Sequence, residues 1–153
     1  MKFSRGFTLI EILLTLAILG IAVTIVMISF SNLNSSKALE KGTETVLSVF
    51  SEARALTLSG AASAQYGVHL EGAQVVLFRG SSYVAGALTN VATPLNLLIA
   101  IRNIAITGGG ANVIFDRLTG STPYNGTFEV YLKNESTTYR TIQVSATGLA
   151  EEI

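Results

Sequence analysis

The chain is 153 residues long and carries 10 Lys+Arg against 10 Asp+Glu, with one His and no Cys or Trp. That length is one domain, or one small domain with an appendage; charged residues at 13%, about half the usual share, and a mean hydropathy of +0.51 exclude a disordered chain. A formal net charge of zero leaves no global basic field for nucleic acid, and the lack of cysteine removes disulfide scaffolds, cysteine zinc sites, iron–sulfur clusters and thiol nucleophiles.

In chain order, the first feature is a short basic segment, with Lys2 and Arg5, followed by an apolar run. From Ile12 to Ser36 there are 25 residues without a charge, and the densest part is Ile12–Phe30. A helix of about 20 apolar residues crosses a bilayer core, whereas a signal-peptide core is about 7–15 residues. The first Ala-x-Ala spellings after the run, Ala53-Arg54-Ala55 and Ala62-Ser63-Ala64, lie far downstream, which argues against a cleaved secretory signal. Lys2 and Arg5 before the run are matched by Lys37 and Lys41 after it, so charge counting alone does not orient it. A short basic N-terminus in the cytoplasm is the default, with residues beyond about 35 on the other side.

Glu11 stands out beside this run, preceded by Phe7, Leu9 and Ile10. A carboxylate in a membrane helix costs several kcal/mol unless it reaches water or a partner. One reading places Glu11 at headgroup level, solvated. The other gives it a cation: a chain cut after Gly6 would expose an ammonium group on Phe7, available to the carboxylate of a neighbouring copy.

The string Arg5-Gly6-Phe7-Thr8-Leu9-Ile10-Glu11 and the apolar run after it resemble the class III signal of type IV pilins and pseudopilins. The resemblance implies a leader, Met1–Gly6, removed by a prepilin peptidase from the cytoplasmic side, and methylation of the new N-terminal Phe7. It also implies that Glu11 supports assembly by pairing with an adjacent subunit's N-terminus. Many major pilins carry Pro where this chain has Ile28, and no Pro occurs before Pro94, which favours a minor pilin or a pseudopilin. Gly20 is then the weak point of the helix, at about 1 kcal/mol against Ala.

After the polar joint Ser31–Ser36, the residues Leu39, Val46, Val49, Phe50, Ala53 and Leu56 recur at helical spacings. Glu40, Lys41, Glu44 and Glu52 fall mainly on the opposite face, and Gly60 is a stop signal. One long helix is therefore predicted from about 7 to about 58, apolar all round in its first half and amphipathic in its second.

Beyond Gly60 the pattern becomes β. Strands are predicted at Gln65–Leu70 and Ala73–Arg79, with Glu71-Gly72 as a hairpin signal, and at Leu95–Ile106, as one strand or two around Arg102 and Asn103. Gly108–Gly110 reads as a turn, and Val113–Asp116, Gly126–Lys133 and Tyr139–Ser145 as further strands, with a loop at Asn134–Thr138. Phe128, Val130 and Leu132 are expected inside, as are Ile142, Val144 and Ala146. Ser51–Arg54, Val113–Gly120, Gly126–Phe128 and Ile142–Gly148 resemble the H-type minor pseudopilins of type II secretion and the FimT-like minor pilins.

The predicted architecture is α+β and pilin-like: a long N-terminal helix packed on an antiparallel β domain. Its parts are a leader at 1–6, a transmembrane and filament-core helix at 7–30, an amphipathic helix at 31–60 and a β-rich domain at 61–153. The chain is expected in the bacterial inner membrane as a single pass, N-terminus cytoplasmic and C-terminal domain periplasmic or extracellular, and then in a filament. The partners implied are other pilin or pseudopilin subunits, the prepilin peptidase, an inner-membrane assembly platform and, before assembly, lipid.

Other chemistry has little to build on, so the chain is expected to be no enzyme and to need no cofactor. His69 is alone and is expected to be structural or exposed. Asp116 and Arg117 are neighbours on a predicted strand and so point apart. No G-x-S-x-G elbow exists, the three glycines lack a following Lys-Ser/Thr, and Glu151-Glu152 reads as a solvated tail. Asn125 and Asn134 spell glycosylation acceptors and equally fit turns. An alternative function is a displayed binding surface for DNA or adhesion. Its basic residues, Arg79, Arg102, Arg117, Lys133 and Arg140, are scattered along the chain.

Overall fold

The computed structural model describes residues 7–108 and 110–153, with the side chains of 28–32 left out. The leader Met1–Gly6 and Gly109 lie outside the described residues. Among the described residues the element order is one helix, α1 (Leu9–Leu58), then a 3₁₀ turn at Ala61–Ser63 and eight strands. The strands are β1 (Tyr66–Leu70), β2 (Gln74–Arg79), β3 (Val91–Pro94), β4 (Ile99–Ile106), β5 (Asn112–Ile114), β6 (Gly126–Leu132), β7 (Glu135–Val144) and β8 (Ala150–Glu152). Two compact units divide at Ser36/Lys37, so the amphipathic half of α1 belongs with the strands.

In the second unit α1 buries one arc: Ala38, Leu39, Gly42, Thr43, Val46, Val49, Phe50, Ala53 and Thr57. These recur every three or four residues, as one apolar stripe of a 3.6-residue helix must. Val46, Val49, Phe50, Ala53 and Leu39 had been predicted there; Leu56 is only half-buried. Gly42 and the threonines escape a hydropathy reading because none is strongly apolar. Gly42 is on this face because an added Cβ would overlap the Ile99 side chain. Thr57 Oγ1 donates to Ala53 O (2.8 Å) and accepts from Tyr66 N (3.2 Å), which ties the helix end to β1. The helix stops at Gly60, which takes φ 67° and ψ 22°, a left-handed conformation open to glycine.

All strand pairs are antiparallel, and they form two sheets. Sheet A has the order β3-β2-β1-β5 and sheet B the order β4-β6-β7-β8. Both deliver apolar residues to one core: Val68, Leu70, Val75, Leu77 and Val113 from sheet A, and Ile99, Ile101, Phe128, Val130, Leu132, Ile142 and Val144 from sheet B. Phe50 of α1 lies across the two, edge-on to Phe115 (6.4 Å between centroids, 87°) and stacked on Phe128 (5.8 Å, 20°). Ala146, expected inside, is exposed because β7 ends at Val144 and the chain turns away.

Two strands were not predicted. β3 ends in Pro94, and Pro argues against a strand unless that strand is at an edge, which β3 is. β8 contains Glu151 and Glu152, read as a solvated tail; the ladder to β7 makes it a strand, and Arg140 pairs with Glu152. Of the two readings of Leu95–Ile106, a single strand is present from Ile99. The register shifts between Arg102 and Ala105, where Asn103 takes φ +50°. The predicted loop Asn134–Thr138 shrinks to a tight turn at Lys133–Asn134, because β7 begins at Glu135. Asp116 and Arg117 are not on a strand. β5 stops at Ile114, both side chains are exposed, and Asp116 closes a loop through Asp116 N→Ser121 O (2.8 Å) and Gly120 N→Asp116 O (2.9 Å).

Candidate functional site: the apolar segment and its carboxylate

Leu9–Met27 is a 19-residue stretch of α1 with mean hydropathy 2.7, none of it buried within the chain. Leu16, Leu19 and Ile21 are each about as exposed as a surface lysine would be, at 61%, 59% and 63%. Burying one such side chain stabilises by roughly 1.5–3 kcal/mol, so nineteen consecutive exposed residues call for an apolar surrounding. Length and composition suffice to cross a membrane. Two hydroxyls in the stretch are satisfied internally: Thr15 Oγ1 donates to Ile12 O (2.9 Å) and Thr24 Oγ1 to Ile21 O (2.7 Å). Such back-bonding lets threonine sit in an apolar helix without an orphaned donor.

The helix start explains part of Glu11. Thr8 Oγ1 accepts the amide hydrogen of Glu11 (3.3 Å), and Ile12 N donates to Thr8 O (3.2 Å). Thr8 is thus the N-cap, and Thr8-x-x-Glu11 is the spelling of a capping box. A carboxylate in the first turn also complements the positive end of the helix dipole. Sequence reasoning passed over Thr8; the Thr-x-x-Glu spacing was the available signal. Phe7 precedes the helix and is 80% exposed. Gly6, the residue before the expected cut, lies outside the described residues.

The segments that carried the second resemblance meet in space. Arg54, from Ser51–Arg54, donates through Nε to Gly120 O (3.1 Å) and Thr147 O (3.3 Å). Gly120 (φ +62°) and Gly148 (φ +76°) are left-handed, and an added Cβ on Gly148 would overlap the Gly120 carbonyl. One guanidinium therefore ties the β5–β6 and β7–β8 loops to α1, and the glycines are where they are because no side chain fits.

The remaining candidates are dispersed. His69 is partly buried, with Nδ1 2.6 Å from Asn112 Oδ1 and its ring stacked on Tyr83 (3.8 Å, 11°). Burial first, then the hydrogen bond to Glu71 and its charge, push the Tyr83 phenol above its ordinary range. Among the described residues no three His, Cys, Asp or Glu gather as metal ligands. Three of the basic residues each have partners of their own. Arg102 pairs with Glu129 (2.8 Å) on the outer face of sheet B and lies over the Tyr131 ring (4.4 Å), while Arg140, opposite buried Val130, shares the inner side and pairs with Glu152. Arg79 belongs to sheet A and donates to Ala62 O (3.0 Å). Asn125 and Asn134 are both exposed, Asn125 just ahead of β6 and Asn134 in the turn before β7.

Comparison with known proteins adds two findings. Residues 1–27 match the family described as the prokaryotic N-terminal methylation motif, a span that contains Gly6, Phe7 and Glu11. The fold matches crystal structures of the type IV minor pilin FimU of Pseudomonas aeruginosa in two crystal forms. One has a TM-score of 0.56 at 14% identity, covering 75% of this chain and 92% of that one; the other has 0.58 at 13%, covering 77% and 90%. No curated protein sequence matches the chain. The chain thus joins an N-terminal methylation motif to a pilin-like fold, with an apolar N-terminal helix and an amphipathic helical half packed on antiparallel sheets. The particular protein this chain is similar to is a minor pilin.

Proposed function

We propose that this chain is a minor pilin or pseudopilin, cut after Gly6, methylated on Phe7 and inserted into a filament through Leu9–Met27. The observation that carries the reading is a 19-residue apolar surface, unburied within its own chain, lying inside the matched methylation motif. Before assembly that surface sits in the inner membrane as a single pass, with the domain beyond residue 36 on the periplasmic or extracellular side. In the filament it packs against the same segment of other subunits. Glu11 pairs there with the Phe7 ammonium group of a neighbour, an open head-to-tail contact that generates a fibre. The prepilin peptidase and an inner-membrane platform are the machinery this route requires, and initiating or regulating assembly is the role that fits a minor subunit. Similarity to FimU supports a pilus-like filament; a type II secretion pseudopilus uses the same parts.

Intact mass from native membranes, with and without the prepilin peptidase, tests processing. Loss of Met1–Gly6 with gain of one methyl group is the expected result; full-length mass in both backgrounds overturns it. Glu11 then needs two variants because it also serves the helix start. Glu11→Gln keeps a side chain suited to the capping box and removes the charge, whereas Glu11→Ala removes both. Pairing predicts that both variants insert into the membrane normally and enter the filament poorly. Normal incorporation of Glu11→Gln would leave capping as the role of this residue.

A further inference from the structure

Sheet B stops at β8, beside the flank of α1. The hydrogen bonds Ser145 N→Leu149 O (2.9 Å) and Ile153 N→Thr141 O (3.0 Å) fix which backbone groups of β8 face β7. Such groups alternate in an antiparallel ladder. The amide and carbonyl groups of Ala150 and Glu152 therefore lie on the outer edge, where no strand among the described residues pairs with them. Next to that edge, Leu47, Ser51, Arg54, Ala55 and Leu58 of α1 and Leu149 line a cleft of about 190 Å³.

The two ends of this edge differ in charge. At the first, Arg54 Nε is spent on Gly120 O (3.1 Å) and Thr147 O (3.3 Å), and both Nη groups are without a hydrogen-bond or ion-pair partner among the described residues. No Asp or Glu among the described residues lines the cleft. An unpaired guanidinium among leucines is complementary to an apolar group that ends in a carboxylate, which Arg binds through parallel N–H bonds. The second end is acidic. Glu40, Glu44, Leu47, Ser51, Ala55 and Leu58 follow at steps of three and four residues, so they share one side of α1. The hydrogen bond from Lys37 and then its charge hold the Glu40 carboxyl below its ordinary value, and a smaller pull from Arg140 shows that β7 comes near Glu40. Arg140 pairs with Glu152, so β8 runs from the Arg54 end toward these acids. Glu40 is paired with Lys37, while Glu44 and Glu151 have no ion pair among the described residues.

We propose that the free edge of β8 binds the C-terminus of a partner polypeptide as an added antiparallel strand, with the terminal carboxylate at Arg54, an apolar last side chain in the cleft, and a Lys or Arg two residues earlier beside Glu44 and Glu152. The last residue lies opposite Ala150. It donates its N–H to the Ala150 carbonyl, accepts the Ala150 N–H on one carboxylate oxygen and leaves the other oxygen for Arg54 Nη. Residues directly opposite one another share a face of the sheet. Ala150 is in register with Val144 and packs toward the core, so the last side chain is aimed at the cleft and the cationic one at Glu152. Main-chain bonds supply affinity in this mode, and alternate side chains supply selection. Parallel addition would put the carboxylate among the acids. A second copy of β8 is excluded by charge, because two such edges set Glu151 and Glu152 against like residues.

The test uses the full chain in a non-ionic detergent and a probe peptide with an N-terminal dye, Thr-Lys-Thr-Lys-Ser-Val with a free carboxylate. Fluorescence anisotropy should show binding, and the same peptide with a C-terminal amide should bind about ten-fold more weakly or worse, the scale of a hydrogen bond to a charged group. A peptide with Glu for both Lys should also bind more weakly, by a margin that shrinks with added salt. Amide signals of Ala150 and Glu152 should shift on binding. Ala55→Phe, at an exposed helix position, fills the cleft without touching the core; it should weaken the acid peptide by a similar factor and leave unfolding of the domain unchanged. Absence of binding by the acid peptide overturns the proposal. Equal affinity for the acid and amide forms, unshifted Ala150 and Glu152 amides, or undiminished binding to the Ala55→Phe chain each overturn it as well.

Discussion

The two halves of α1 are both rich in aliphatic residues, yet they solve opposite problems. Between Leu9 and Met27 no side chain is buried, whereas between Ala38 and Thr57 a full stripe disappears beneath two sheets. The second half finds its apolar partner within the chain; the first finds none among the described residues, and the proposed function supplies it from outside. One helix thus teaches that hydrophobicity alone does not say where a segment is buried, and that periodicity does: a stripe marks an internal face, an all-round coat marks an external solvent.

The comparison breaks most sharply at its largest side chain. Phe50→Ala should cost the Lys37–Ile153 unit about 3–5 kcal/mol, because Phe50 is 1% exposed and packs on Phe128 of β6 and on Phe115, just past β5. Leu19→Ala, in the exposed half, should leave denaturant unfolding of that unit unchanged while lowering filament incorporation. Equal losses of stability would show that the two halves are not independent.

The glycines sharpen the same contrast. Gly42→Ala gains about 1 kcal/mol of helix propensity but drives a Cβ into the fully buried Ile99, an overpacking penalty of about 1–3 kcal/mol. A net loss of roughly 1 kcal/mol is expected by chemical denaturation. Gly20→Ala meets nothing within 4 Å, so helicity should rise or hold with no loss of stability. A destabilised Gly20→Ala chain in detergent would reveal a close neighbour at that position.

The smallest effect concerns charge on sheet B. The hydrogen bond from Arg102 first, and then that from Asn103, hold the Glu129 carboxyl below its ordinary value of 4.5, with burial opposing. A depressed folded-state value means stability that is present above the ordinary carboxylate range and is lost as pH falls through it. Replacing Arg102 by Met should flatten this acid dependence in a pH series of unfolding curves. An unchanged acid limb would assign it to other carboxylates.

The N-terminal features were legible because they are local. Charge-free length, a Gly-Phe junction and one acid at a fixed distance need no fold to be recognised, and the helix bounds followed from periodicity and Gly60. The inner positions of β6 alternate so strictly that Phe128, Val130 and Leu132 could be placed from spacing alone. β3 and β8 could not, since each is short and contains Pro or Glu; the neighbouring strand's unpaired backbone groups make them strands.

What the sequence determined by itself is therefore the apolar segment, its acid and the amphipathic stripe, all set by residues within a few turns of one another. Tertiary structure alone decided that the strands divide into two sheets and that Arg54 reaches Gly120 and Thr147, residues 66 and 93 positions away. It also decided that His69 lies between Asn112 and Glu71 under Tyr83. These contacts depend on register between strands distant in the chain, and register is set by the summed packing of a core that no local window contains.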